Sequence, residues 1–195
     1  MNGAHRILIR MRDDRAGFTL IELVVSMSLM VVVSVVIGSI LITTLNSEST
    51  VRTSTQATSQ GQLIAQSIDK GVRNASWISN PVAQDGSYFL TVHTATGGAT
   101  VSWECRAWFL TIAGGGAAYT RTSTAAIARP TAGDLSGWTL LATGLQADGT
   151  TAMLKRTTDN EVIITFQMDA GDAQNIRVQT SSLSRQINTG SSPCE

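Results

Sequence analysis

Arg15-Ala16-Gly17-Phe18-Thr19-Leu20-Ile21-Glu22 opens an apolar run that continues to Leu45, and the character of that run sets the plan of the chain. Between Phe18 and Leu45 the only ionisable side chain is Glu22. The other polar groups, Thr19, Ser26, Ser28, Ser34, Ser39, Thr43 and Thr44, are hydroxyls that can bond back to helix carbonyls. A bilayer core of about 30 Å needs roughly 20 apolar residues at about 1.5 Å rise, and this run exceeds that length without a proline. Valine and isoleucine lower intrinsic helix propensity, but in lipid the backbone must satisfy its own hydrogen bonds, so a spanning helix is predicted.

The flanks orient the span. Arg6, Arg10, Arg12 and Arg15 outnumber Asp13 and Asp14 before it, whereas Glu48 and Arg52 follow it. Positive-inside then places the N-terminus in the cytoplasm and the residues after Leu45 outside. A secretory signal peptide is the competing reading. Two features oppose it: the run is longer than an ordinary h-region of about 7 to 15 residues, and no alanine between Gly17 and Ala57 offers a cleavage site. Glu22 is costly in such a helix, on the order of 2.5 to 3.5 kcal/mol, and intramembrane acids normally face a partner. None stands in the span itself.

A charged leader ending in Gly17, then Phe18-Thr19-Leu20-Ile21-Glu22 and a long apolar helix, resembles the N-terminal signal of type IV pilins and of the pseudopilins of type II secretion. The resemblance implies that a prepilin peptidase cuts between Gly17 and Phe18 and that the new Phe18 amine is N-methylated. It also makes Glu22 the fifth residue of the processed chain, where the family carries its glutamate. Ala16 departs from the family, which often has a basic residue there; Arg15 stands one place back. Cleavage creates a positive charge at Phe18, and on a neighbouring subunit that amine is a partner for Glu22, which becomes an assembly contact. The other reading of Glu22 is an acid hydrated near the bilayer interface. The leader has two potential starts, Met1 and Met11.

With leader and span set aside, about 150 residues remain outside, enough for one domain with a modest core. From Asn46 onward ten Lys plus Arg face eleven Asp plus Glu, so no basic face marks a nucleic-acid partner. Asn46 to Gln60 is rich in Ser and Thr and makes a poor autonomous helix, a place to bend or melt, as is Gly38-Ser39. Ala57, Gly61, Ile64, Ala65, Ile68, Val72 and Ala75 then recur at three and four, the stripe of a helix laid on a core. Asn80-Pro81 is the predicted stop, so the helix should run from Thr19 to about Ser79 and span roughly 90 Å.

Beyond it the period falls to two. Tyr88 to Val92, Ala99 to Ile112, Ala117 to Thr124, Trp138 to Ala142, Met153 to Arg156, Val162 to Met168 and Ile176 to Thr180 read as strands. Asp85-Gly86, Gly97-Gly98, Gly114-Gly115-Gly116, Asp148-Gly149 and Asp159-Asn160 separate them as turns. The expected fold is α+β, a long N-terminal helix packed on a small antiparallel sheet. Its expected divisions are a leader at 1–17, a transmembrane helix at 18–45, a helical extension at 46–79 and a β domain at 80–195. Leu63-Ile64-Ala65 with Asp69 and Arg73-Asn74-Ala75, and Trp138-Thr139-Leu140-Leu141-Ala142-Thr143-Gly144, are similar to segments of minor pilins and J-type minor pseudopilins. Ser39 stands near the place where many major pilins carry a proline.

Cys105 and Cys194 are the only cysteines and both fall outside the membrane, so a disulfide is expected between them. It would close a loop of about 90 residues, for which chain entropy gives at most about 4 to 5 kcal/mol. Two free thiols, or pairing with another chain, are the alternatives. No catalytic constellation is present: His93 stands alone outside the leader, no serine sits in Gly-x-Ser-x-Gly, and Gly114-Gly115-Gly116 lacks the Gly-Lys-Ser/Thr of a phosphate loop. Asp169, Gly171 and Asp172 do not reach EF-hand spacing, and Trp103 and Trp108 read as edge and core packing. The expectation is a non-enzymatic filament subunit with no metal and no cofactor. Its partners would be other pilin or pseudopilin subunits, the prepilin peptidase and methyltransferase, and the inner or cytoplasmic membrane. The alternative is a membrane-anchored extracellular binding module that never polymerises.

Overall fold

A single 54-residue helix, α1 (Leu20–Arg73), begins the part of the chain that the computed structural model describes, residues 19–97, 101–131, 133–186 and 194. The described residues fall into two compact units that divide between Asn46 and Ser47. Among those residues the first is helix from Leu20 on, preceded by Thr19, and from Leu20 to Leu45 every position but Gly38 is exposed. Its hydroxyls turn back on the helix: Ser28, Ser34 and Ser39 donate to the Val25, Met30 and Val36 carbonyls, each at 2.8 Å. Little polarity is left on the helix surface.

In the second unit the Ser/Thr-rich stretch does not melt. Thr53, Thr55 and Thr58 donate to the Ser49, Val51 and Ser54 carbonyls at 2.8–2.9 Å, and α1 is unbroken through it. Ala57, Gly61, Ile64, Ile68 and Val72 of the predicted stripe are buried, Ala65 is half-buried, and Gly71 is a buried position the stripe did not include. The helix stops at Arg73, short of Ser79. Its terminal carbonyls are taken by groups off the helix axis: Gly71 O by the Thr94 hydroxyl at 3.0 Å, Lys70 O by Asn74 Nδ2 at 3.3 Å, and Arg73 O by the Arg185 amide at 3.1 Å. Ala75 therefore leaves the helix and opens β1 (Ala75–Ile78), all four of whose residues are buried. Asn80-Pro81 ends a strand, not the helix.

The remaining strands are β2 (Val82–Gln84), β3 (Ser87–Thr96), β4 (Ser102–Thr111), β5 (Ala117–Ser123), β6 (Thr139–Thr143), β7 (Leu145–Gln146), β8 (Leu154–Thr158), β9 (Glu161–Met168) and β10 (Ile176–Leu183). Every pairing is antiparallel, as the short turns require. The described strands form two sheets rather than one. The six-stranded sheet runs β1-β3-β4-β5-β6 with β2 also on β3; the four-stranded sheet runs β10-β9-β7 with β8 also on β9. The chain changes sheet at Gly144, whose amide donates to Gly116 O at 2.9 Å and whose carbonyl accepts the Asp169 amide at 2.8 Å. Gly116 has φ +76°, and a Cβ there would lie 1.7 Å from Leu145 O, so the last glycine of the triplet is required by the crossing itself.

One face of both sheets packs under α1. Ile64, Ile68 and Val72 meet Leu90, Val92, Trp108, Leu110, Ile164, Phe166 and Met168 in one core cluster. Trp108 is fully buried and donates from Nε1 to Ser67 Oγ at 2.9 Å. A Cβ on Gly71 would come within 2.2 Å of the Trp108 ring, so the indole occupies the space a side chain at 71 would need. The opposite face of the six-stranded sheet is also covered: Trp77, Phe89, Cys105, Ala107 and Phe109 cluster with Ile127 and Cys194. That second cover explains why β3 is buried on both of its faces, a pattern simple alternation does not show.

Candidate functional site

The first turn of α1 is built by Thr19-Leu20-Ile21-Glu22. Thr19 Oγ1 accepts the Glu22 amide at 3.3 Å and Thr19 O accepts the Leu23 amide at 3.1 Å, so Thr19 caps the helix. Thr-x-x-Glu is a capping-box spacing, so this cap is legible in the sequence. Glu22 thereby lies in the first turn, where an acid suits the positive end of the helix dipole. No side chain among the described residues meets its carboxylate. Beyond it the exposed surface is continuous apolar, from Leu20 and Ile21 through Met30 and Val35 to Ile42 and Leu45. Among the described residues α1 is the helix long and apolar enough to cross a membrane.

Residues 12–38 match the family described as the prokaryotic N-terminal methylation motif. The chain carries a prokaryotic N-terminal methylation signal. That motif supports a type IV pilin-like protein, implies processing by a prepilin peptidase, and joins the apolar helix in suggesting membrane anchoring. The match reaches Gly38, about a third of the way along α1, and covers none of the β strands. No curated protein and no solved structure matches the chain. The expected cleavage and methylation positions, Gly17 and Phe18, lie outside the described residues, as do Met1 and Met11.

The other expected residues are distributed through the β domain. Cys105 on β4 and Cys194 are joined as a disulfide with Cα atoms 5.5 Å apart, both buried in the outer cluster. His93 is half-buried on β3, with Nδ1 3.0 Å from Ser76 Oγ and its ring stacked on Trp103 at 5.1 Å, a satisfied packing histidine. Trp103 is 42 % exposed at the start of β4, whereas Trp108 is core. Asp169 Oδ1 accepts the Gly171 amide at 2.9 Å, which makes this a turn. Among the described residues no three His, Cys, Asp or Glu come together to hold a metal.

Two of the ion pairs among the described residues of the second unit carry pKa shifts. Arg73 Nε pairs with Asp69 at 2.7 Å, and the Asp69 hydrogen bond raises the Arg73 pKa above its ordinary value. Asp148 accepts Gln167 Nε2 and Arg177 Nε, each at 2.7 Å; the Gln167 bond first and the Arg177 bond second hold its carboxyl below the usual carboxylate range.

Proposed function

We propose that the chain is a structural subunit, a minor one, of a type IV pilus or a type II secretion-like pseudopilus. The observation that carries this reading is the methylation motif at residues 12–38. A helix whose first half is apolar and exposed on every side agrees with it, because such a surface calls for lipid or neighbouring helices around it. On this reading the leader is cytoplasmic, a prepilin peptidase cuts between Gly17 and Phe18, Phe18 is N-methylated, and the β domain lies outside the membrane. The subunit polymerises through α1. It acts without catalysis and without a cofactor.

Glu22 is the residue on which assembly turns. Its carboxylate has no described partner in its own chain, and the amine made by cleavage on a neighbouring subunit supplies a charge of opposite sign. Removing one member of a buried pair costs about 3–5 kcal/mol, because the other is left uncompensated. Glu22→Ala is therefore expected to leave membrane insertion intact and to abolish incorporation into filaments; normal incorporation would sink the pairing. The reading as a whole is tested by intact-mass and N-terminal analysis of the protein recovered from its native cells. A chain starting at N-methyl Phe18 is expected. A membrane protein that keeps its leader would instead be the anchored, non-polymerising binding module.

A further inference from the structure

On the outer face of the six-stranded sheet, away from α1, lies a cavity of about 710 Å³ that the filament reading does not use. Its volume falls within the roughly 300–1,000 Å³ of small-ligand sites. One wall is Arg129, set in place by the chain: Nη1 donates to Gln84 Oε1 at 3.0 Å, Nη2 to Gln84 O at 2.9 Å, and the guanidinium lies over the Phe109 ring, 5.9 Å from its centroid. A guanidinium has five N–H donors, so three remain, and no carboxylate among the described residues pairs with it. Tyr119, opposite Phe109 in the β4–β5 register, lines the same cavity, and its hydroxyl has no partner among the described residues. Asp85, held at φ +52° in the tight turn before β3, brings a carboxylate that is likewise unpartnered there. Pro130 and Leu135 add apolar surface.

The wall thus offers fixed donors, a carboxylate acceptor and a hydroxyl that can do either, around an apolar floor. The two charges cancel. With a half-buried Arg129 and an exposed Asp85 both lining the cavity, neither sign of ligand charge is favoured overall. A wholly apolar ligand strips water from the half-buried Arg129 and Tyr119 and returns no hydrogen bond. A neutral ring that carries several hydroxyls on its edge and C–H groups on its faces satisfies all of these groups together.

We infer that this cavity is a carbohydrate site that binds a neutral oligosaccharide, with Arg129 and Asp85 bonding ring hydroxyls and Tyr119 contributing its ring and hydroxyl. The site stands on the β domain and is independent of whether α1 polymerises.

The full chain, reconstituted in lipid nanodiscs free of glycolipid and of sugar detergent, is titrated with maltotriose, cellotriose and triacetylchitotriose by ligand-observed NMR. At least one is expected to bind saturably. Arg129→Gln and Tyr119→Phe should each weaken it about threefold to tenfold, the worth of one hydrogen bond, while Leu183→Ala on β10 leaves it unchanged. Tyr119→Phe keeps the ring, and an unaltered near-ultraviolet circular dichroism spectrum separates loss of the hydroxyl from loss of fold. The site is overturned if none of the three trisaccharides binds saturably, if binding survives both variants in full, or if benzoate or benzylamine displaces the bound sugar at lower concentration than the sugar itself requires.

Discussion

The two halves of α1 follow the same backbone geometry and have opposite relations to the rest of the chain. From Leu20 to Leu45 apolar side chains point in every direction and all remain exposed. From Ala57 to Val72 the apolar residues other than the exposed Leu63 keep to one stripe, and that stripe is packed on the sheets. The difference is one of patterning. A helix apolar all round has no preferred inward face, so its partners must surround it, whereas a striped helix finds its partner in its own domain. Glycine shows the contrast at single-residue scale: a Cβ on Gly38 meets nothing within 4 Å, while one on Gly71 runs into Trp108.

That contrast is most directly broken at Trp108. Trp108→Ala should cost about 3–5 kcal/mol, read as a lower denaturant midpoint of the β domain in the full chain. Met30→Ala, equally apolar but in the exposed half, should leave the same midpoint in place; equal losses would mean the two halves are not distinct. Next in size is the disulfide. Cys105→Ser with Cys194→Ser should lower domain stability by about 2–5 kcal/mol, and its thermal midpoint with it, without changing membrane partition of the helix.

Gly71→Ala should lose about 1–3 kcal/mol to overpacking against a rigid indole, partly offset by up to about 1 kcal/mol of better helix propensity. Gly38→Ala keeps the propensity gain without the clash. A melting curve on each variant checks the pair, and a stabilised Gly71→Ala would show that Trp108 can move aside. The smallest effect is on pH dependence. The folded Asp148 pKa lies below its unfolded value, so its contribution is complete above about 3.9 and is lost as pH falls through the lower folded value. Asp148→Asn should flatten the fall of the thermal midpoint below about pH 4; an unchanged slope would assign acid lability to other carboxylates.

Much of this was legible along the chain. The apolar helical run from Leu20 to Leu45, the buried stripe, seven of the strands and the pairing of Cys105 with Cys194 follow from local pattern, hydrophobicity and the scarcity of cysteine. The short strands β1, β2 and β7 were not legible. Ala75 continues the helical spacing, and nothing local says that Thr94 and Arg185 will take the helix's last carbonyls from outside. Gly71 was missed because a glycine carries no hydrophobic signal; its importance lies in the Trp108 ring it admits. The cavity beside Arg129 joins Gln84, Tyr119 and Arg129 across more than forty residues, a separation no period reveals.

The sequence by itself determined the Thr19 to Glu22 junction, the apolar helix after it, and the antiparallel character of the domain. These are properties of neighbours along the chain, where backbone hydrogen bonding and side-chain periodicity act over a few residues. Only the tertiary structure decided where α1 stops, that the strands divide into two sheets at Gly144, and that Arg129 and Asp85 share a cavity, because each depends on groups brought together from distant positions to satisfy hydrogen bonds and exclude water.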